Sequence, residues 1–258
     1  MAQRFDGRFA ATSRSRLKDA LHTRLRRHGW QLARYPVSYN VAHKRSLVLD
    51  TLGTRLVIDI GANTGQFAAE VRTYGYLGRI LSFEPLPDAF VELSRHAQRD
   101  RLWDVVASGL GSADGTIAIN VAGNSVSSSP LTMLDRHLDA APGSAVVNQV
   151  MVPVARLDSV LANRRVLDDL GDQAPYLKID TQGFEREVLD GAPDTLKKVS
   201  AVEVELSLVE LYEGQPLFDE ILAVLDAAGF RLAGLQPGFW DQKTGETLQV
   251  DGLFLKNV

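Results

Sequence analysis

The chain has 258 residues, of which 45% are apolar, with no cysteine and a net charge of −4 at pH 7. Those values fit one α/β domain with an extension, or two small domains, around a real core. They exclude disulfides, thiolate zinc sites and cysteine nucleophiles, and the negative charge argues against nucleic acid as the main partner.

No run approaches the roughly 18 apolar residues of a membrane span. No apolar leader core stands at the N-terminus, so the cytoplasm is the expected location. Residues 1–30 hold eight Arg and Lys against Asp6 and Asp19, a local +6 that leaves −10 for the rest of a chain whose total is −4. Arg14 to Trp30 reads as a helix with Leu17, Leu21, Leu25 and His28 in one stripe. Its basic face is either simply solvated or a contact for anionic lipid or a phosphorylated, lipid-linked substrate. We take residues 1–45 as a basic helical extension and 46–258 as the main domain.

Leu56-Val-Ile-Asp-Ile60 is a short β-branched run, expected as a buried parallel strand. It ends in Asp59-x-Gly61-x-x-x-Gly65, and a helix is expected from Gln66. A second apolar run, Arg79–Phe83, ends in Glu84-Pro85. Two acidic strand ends in series, with glycines between, describe a nucleoside site at the carboxyl end of a sheet beside a helix N-terminus. A dinucleotide fingerprint needs Gly-x-Gly-x-x-Gly for a pyrophosphate. Here Asn63 stands where the second glycine belongs, which favours S-adenosylmethionine. Glu84 is placed to accept from both ribose hydroxyls, since a carboxylate is acceptor-only with two oxygens. Asp59 would meet loop amides or polar groups of the ligand. Gly61, Asn63, Gly65, Gln66 and Pro85 complete the expected contact set.

Pro87–Gln98 reads as a helix and Trp103–Ala107 as the third strand. Thr116–Val121 alternates like a strand on a sheet edge, and Gly123–Pro130 is a Ser- and Asn-rich loop. Asn148–Leu157 is extended, and Asp158–Leu170 is expected as a helix. Tyr176–Asp180 and Ser200–Leu206 read as the fourth and fifth core strands. A helix over Phe184–Asp190 lies between them and another over Leu217–Ala228 follows. Phe230–Leu235 and Gly252–Lys256 close the chain as an antiparallel pair. This alternation implies an α/β fold with a mostly parallel, doubly wound sheet.

Val57-Ile-Asp-Ile-Gly-Ala-Asn-Thr-Gly65, Phe83-Glu-Pro85, Leu157-Asp158 and the stretch Leu177-Lys-Ile-Asp-Thr-Gln-Gly-Phe-Glu-Arg-Glu-Val-Leu-Asp-Gly191 together resemble the FkbM family of methyltransferases. The resemblance runs from about Val57 to Leu206. It implies a Rossmann-like seven-stranded sheet and transfer of methyl from S-adenosylmethionine to a hydroxyl oxygen, commonly on a sugar or polyketide. It also carries Ser108 over as an adenine contact. The family often has Glu where this chain has Gln182, so one charge near the site is missing.

An alcohol is a weak nucleophile, so a base or a metal must help remove its proton. Asp180, ending the fourth core strand, is the first candidate. Glu205 on the fifth strand and His137 after the Ser-rich loop are the others. Magnesium, with its preference for oxygen ligands, is allowed but not required, and would take Asp180 and Glu205, with Glu185 as a third ligand. The expected function is O-methylation of a deoxysugar, glycolipid or glycoside. The alternatives are a polyketide, peptide or other natural-product acceptor, or a binding module without turnover.

Overall fold

A computed structural model describes residues 24–25, 40–167, 170 and 174–257. The basic N-terminal helix expected over Arg14–Trp30 therefore lies outside the described residues, apart from Arg24 and Leu25.

The first element described in full is α1 (Val41–Thr51), which the sequence pattern did not reveal. Asn40 caps it, accepting the His43 N–H at 2.8 Å. The boundary expected at 45/46 falls inside this helix. Then come β1 (Leu56–Ile60), α2 (Gln66–Thr73), β2 (Arg79–Phe83), α3 (Pro87–Ala97) and β3 (Trp103–Val106). A middle section holds β4 (Gly109–Leu110), β5 (Gly115–Ala122), α4 (Asp135–Ala140) and β6 (Val146–Ala155). The chain ends with α5 (Leu157–Arg164), β7 (Tyr176–Ile179), α6 (Glu185–Asp190), α7 (Pro193–Lys198), β8 (Ala201–Ser207), α8 (Phe218–Ala227), β9 (Phe230–Pro237) and β10 (Gln249–Lys256).

The main sheet has seven strands in the order β3-β2-β1-β7-β8-β10-β9. The first five run parallel, and β10 is antiparallel to both its neighbours. This is the expected Rossmann-like, doubly wound α/β sheet. The strand order reverses between β1 and β7, which opens a crevice at their carboxyl ends.

One face of this sheet is apolar along its length. Ile58, Ile60, Leu81, Phe83, Leu177, Ile179, Val202 and Val204 pack there against Leu157, Leu161, Val188, Leu196, Ile221 and Leu225 of the helices. The other face changes character along the strands. Near the amino ends Val57, Ile80, Tyr176, Ala201 and Leu253 meet Leu49, Ala68, Val71 and Leu93 of α1, α2 and α3. Towards the carboxyl ends the same alternation presents Asp59, Ser82, Lys178, Glu203 and Glu205. Strand alternation therefore gathers the polar groups under the crevice.

The elements add to or depart from the expected ones in three places. Thr116–Val121 lies on a sheet edge, as its alternation predicts, but not in the main sheet. As part of β5 it pairs with β6 in a separate three-stranded sheet, β4-β6-β5. The apolar face of that sheet (Ile119, Val152, and Ile117 beside them) needs cover and finds it on Leu86 and Ala89. The helix expected over Asp158–Leu170 stops at Arg164, because Arg165 takes a left-handed φ of 51°. Val166 and Leu170 still reach the core from the turn that follows. Finally, α7 was not foreseen. It is six residues long and starts at Pro193, and its first turn is capped from a distance. Asp158 accepts from Asp194 N–H, Thr195 N–H and the Thr195 hydroxyl at 2.7–2.9 Å. The motif residue Asp158 thus ties α5 to α7.

Candidate functional site

A cavity of about 530 Å³ opens over the crevice. Its floor is the polar end of the sheet, and its walls are the β1–α2 loop, the Ser-rich loop and Ile117, Ile119 and Val154 of the small sheet.

The β1–α2 loop is shaped by its two glycines, but the tight neighbours are protein. Gly61 has φ 76°, and a Cβ there would lie 1.8 Å from the Asp180 carbonyl oxygen. Gly65 has φ 94°, and a Cβ there would lie 2.7 Å from the Trp103 ring. Glycine is therefore required for the loop to pass between β7 and β3. Asn63, at φ 47°, supports the turn with Oδ1 accepting from Thr64 N–H. Gln66 Nε2 lies 3.3 Å from the same oxygen.

Glu84 is buried at the end of β2. One oxygen accepts from Asn63 N–H and the other from Leu86 N–H, both at 2.8 Å. A carboxylate has about four lone-pair sites. One per oxygen is left, which fits the vicinal hydroxyls of a ribose. Burial pushes the Glu84 carboxyl up to about 7 despite those two N–H groups. Pro85 and Ser108 line the same end of the cavity, although the Ser108 hydroxyl is spent on the Gly109 carbonyl at 2.8 Å.

Asp59 lies beneath the cavity and contacts neither loop amides nor the open space. It is fully buried, accepts from the Ser82 hydroxyl at 3.0 Å and lies 3.5 Å from Lys178 Nζ. Lys178 also reaches Asp180 at 3.3 Å. Burial pulls the Lys178 ammonium down, but Asp180 and Asp59 outweigh it and hold it above its ordinary value.

The opposite end of the floor holds groups that sequence reasoning missed. Arg45 of α1 pairs with both oxygens of Glu203 and with Glu70, and stacks 4.6 Å over the Phe67 ring. Tyr176 donates its hydroxyl to Glu203. Gln182 spans the centre: Nε2 donates to Asp180 Oδ1 at 2.9 Å and Glu205 Oε2 at 2.8 Å, and Oε1 lies 3.0 Å from the Tyr212 hydroxyl. Gln249 also donates to Glu205 at 2.8 Å. Asp251 lines the cavity beside Glu205. Polar residues on a strand enclosed by two others were the available signal. The expected strand began at Gly252 and so left out Gln249 and Asp251.

Asp180 and Glu205 therefore meet through the amide of Gln182. Among the described residues no group of three or more His, Cys, Asp or Glu side chains is arranged to hold a metal ion. Glu185, the third ligand considered, is turned back on its own loop, accepting from Thr181 N–H and its hydroxyl and from Gly183 N–H. The space between Asp180 and Glu205 is filled by N–H donors, which do not fit a cation.

His137 lines the cavity but is buried between Tyr212 and Phe239, with ring centroids 5.1 and 5.2 Å away. Burial pushes its imidazole down from the ordinary value to about 4. Nε2 lies 3.2 Å from the Ser127 hydroxyl, and Nδ1 has no hydrogen-bond partner.

Burial likewise raises Glu185 and Asp251 to about 7. With Glu84 they bind protons in the folded state that an unfolded chain has already released. Their contribution favours folding fully below the ordinary carboxylate range and is lost as pH rises through about 7. The ligand-free protein should therefore melt at lower temperature at pH 8 than at pH 5.5. Equal melting temperatures by calorimetry would mean that these carboxyls are not desolvated.

Known proteins are similar to this chain. The model of the "Methyltransferase FkbM domain" matches residues 59–232. Methyltransferase sdnD of Sordaria araneosa is 30% identical over 195 residues, covering 67% of this chain and 73% of that protein. The 2-O-methyltransferase NoeI of Sinorhizobium fredii is 26% identical over 198 residues, covering 74% and 79%. A crystal structure of methyltransferase FkbM from Methylobacillus flagellatus superposes with a TM-score of 0.45 at 15% identity, covering 77% of this chain and 43% of that one. With its matched domain spanning β1 through β9, the chain belongs to the FkbM methyltransferase family.

Proposed function

We propose that the chain transfers a methyl group from S-adenosylmethionine to a hydroxyl of a sugar, as a deoxysugar, glycolipid or glycoside. The observation that carries this reading is Glu84, buried at the end of β2 with one lone pair per oxygen facing a cavity that is otherwise acidic. Five carboxylates line that cavity against Arg45 and Lys178, a balance that suits a sulfonium cation.

Glu84 would hold the ribose. Ile117, Ile119, Val154 and Phe184, with Pro85 and Ser108, would enclose the base. The loop Gly61–Gln66 and Asp180 would face the amino-acid end. Both Asp180 oxygens are already engaged by Lys178 and Gln182, which favours holding the donor's amine over receiving a proton. Bound there, the donor supplies an electrophilic methyl. The residues align an acceptor oxygen and keep water out. Transfer to oxygen is supported by the name of the relative NoeI, a 2-O-methyltransferase. A sugar is supported by Asn124, Ser125, Gln249 and Asp251 beside the aromatic Phe239 on the acceptor side. Val126, Ala141 and Phe239 favour a second reading, a polyketide or peptide scaffold.

The test is transfer of radiolabelled methyl into methyl glycosides and a glycolipid extract, with and without EDTA. Label in the sugar fraction is the expected result. Label only in apolar natural products would select the second reading. Binding without any label would leave a module without turnover. In parallel, Glu84→Ala should weaken S-adenosylhomocysteine binding about 10- to 100-fold by calorimetry, the worth of charge-assisted hydrogen bonds of about 1.5–3 kcal/mol. Unchanged affinity would remove Glu84 from the ribose role.

A further inference from the structure

Four of the five cavity carboxylates already hold protein hydrogen-bond or ion-pair partners. Glu84 holds Asn63 and Leu86 N–H, Asp180 holds Lys178 and Gln182, Glu203 holds Arg45 and Tyr176, and Glu205 holds Gln182 and Gln249. Asp251 alone carries no hydrogen bond, among the described residues.

Its position is set by register. β7 Ile179 pairs with Val204, so Asp180 follows beside Glu205, and Glu205 pairs directly with Asp251. Asp180, Glu205 and Asp251 thus form one row across three neighbouring strands on the cavity side. Directly paired residues stand about 4.5–5.5 Å apart across a ladder. Asp251 is half-buried at the far end of that row, and Gln236 of β9 faces it from the other side. The groups facing it are Glu203 and Glu205 of β8, Lys178 and Asp180 at β7, and Arg45 of α1. A half-buried carboxylate with both oxygens bare is costly unless a ligand uses it.

We propose that Asp251 receives the hydroxyl of the acceptor and takes its proton during transfer, a role that rests on the O-methylation reading above. As the acceptor oxygen bonds to the methyl carbon, the methyl–sulfur bond breaks and its electron pair stays on sulfur. The hydroxyl proton passes to an Asp251 oxygen, so the carboxylate becomes a carboxylic acid. The sulfonium charge and the carboxylate charge disappear together. Burial first, then Glu203 and Asp180, raises this carboxyl to about 7 against Lys178 and Arg45, which suits a base working at neutral pH. His137, with its free Nδ1, is the weaker base.

The experiment compares wild type, Asp251→Asn and Asp251→Glu. Calorimetry with S-adenosylhomocysteine should give dissociation constants within about twofold of each other, showing that the isosteric variant folds and binds. Turnover with methyl glycosides should fall at least about 100-fold in Asp251→Asn and recover in part in Asp251→Glu. The wild-type rate should climb with pH through about 7, and the residual rate of Asp251→Asn should not. Carbon NMR of protein labelled at the Asp carboxyls, saturated with S-adenosylhomocysteine, should show one resonance titrating near 7 that vanishes in Asp251→Asn. Wild-type turnover and pH profile in Asp251→Asn would overturn the proposal. If wild type methylates no glycoside, the sugar reading falls, and the NMR titration decides alone. A resonance titrating below pH 5 then overturns Asp251, and one near 7 upholds it.

Discussion

Arg45→Ala should lower unfolding stability by about 3–5 kcal/mol, the cost of leaving a buried partner charge uncompensated. Arg45 is 6% exposed and Glu203 is 5% exposed. Glu203 sits under Glu205 and Asp251, so only Lys178 and the Tyr176 hydroxyl would remain to oppose its charge. The Arg45–Glu203 pair is not expected to be strongly stabilising against an apolar pair of similar volume. The double replacement Arg45→Met with Glu203→Leu should therefore recover most of the loss. Urea unfolding reads both, with the slope checked for a change in cooperativity. A single variant as stable as wild type would mean that α1 is not docked on the sheet in solution. A chain starting at residue 46 would lack this contact.

What the sequence made legible follows from how strongly physics constrains each position. β1 and β2 are short β-branched or apolar runs ending in an acid, and the backbone between them needs glycine, so Glu84 and the loop were readable. The alternation Val202-Glu203-Val204-Glu205 of β8 is equally plain in the sequence and sets both carboxylates on one face. The partners of those carboxylates were not legible. Arg45 looks like any basic residue in a helix whose pattern is not amphipathic, and its burial arises only when α1 meets the sheet. Asp251 was hidden because Gly252 reads as the start of a strand, although pairing begins at Gln249. The small sheet was not legible because alternation reports that a strand has one covered face, not which sheet it joins. Asp158, one of the residues carrying the resemblance, is a cap, and that role was not legible because its partners lie 36 and 37 residues away.

Gln182→Glu should turn the pocket into one that needs a cation. Gln182 occupies a left-handed position at φ 53°, followed by Gly183 at φ 94°. Its own carbonyl is held by the Ser129 hydroxyl at 2.7 Å, so the side chain is fixed over the sheet. Both amide protons are spent, one on Asp180 and one on Glu205. The neutral amide thereby joins two carboxylates that would otherwise repel, and Glu205 is already raised well above its ordinary value by burial, Asp180 and Glu185. Glutamate at this position removes both donors and adds a third negative charge. Without metal the variant should lose about 2–4 kcal/mol, as lost buried hydrogen bonds cost about 1–3 kcal/mol each. That is a fall in melting temperature of about 5–10 °C for a domain of this size. Millimolar magnesium should restore most of it, since three carboxylates would then converge as hard oxygen ligands. Wild type should show no such response, and its turnover should survive EDTA. If instead wild type is stabilised by magnesium or loses turnover to EDTA, the amide must present its oxygen inwards to a cation, and Asp180 and Glu205 are ligands after all.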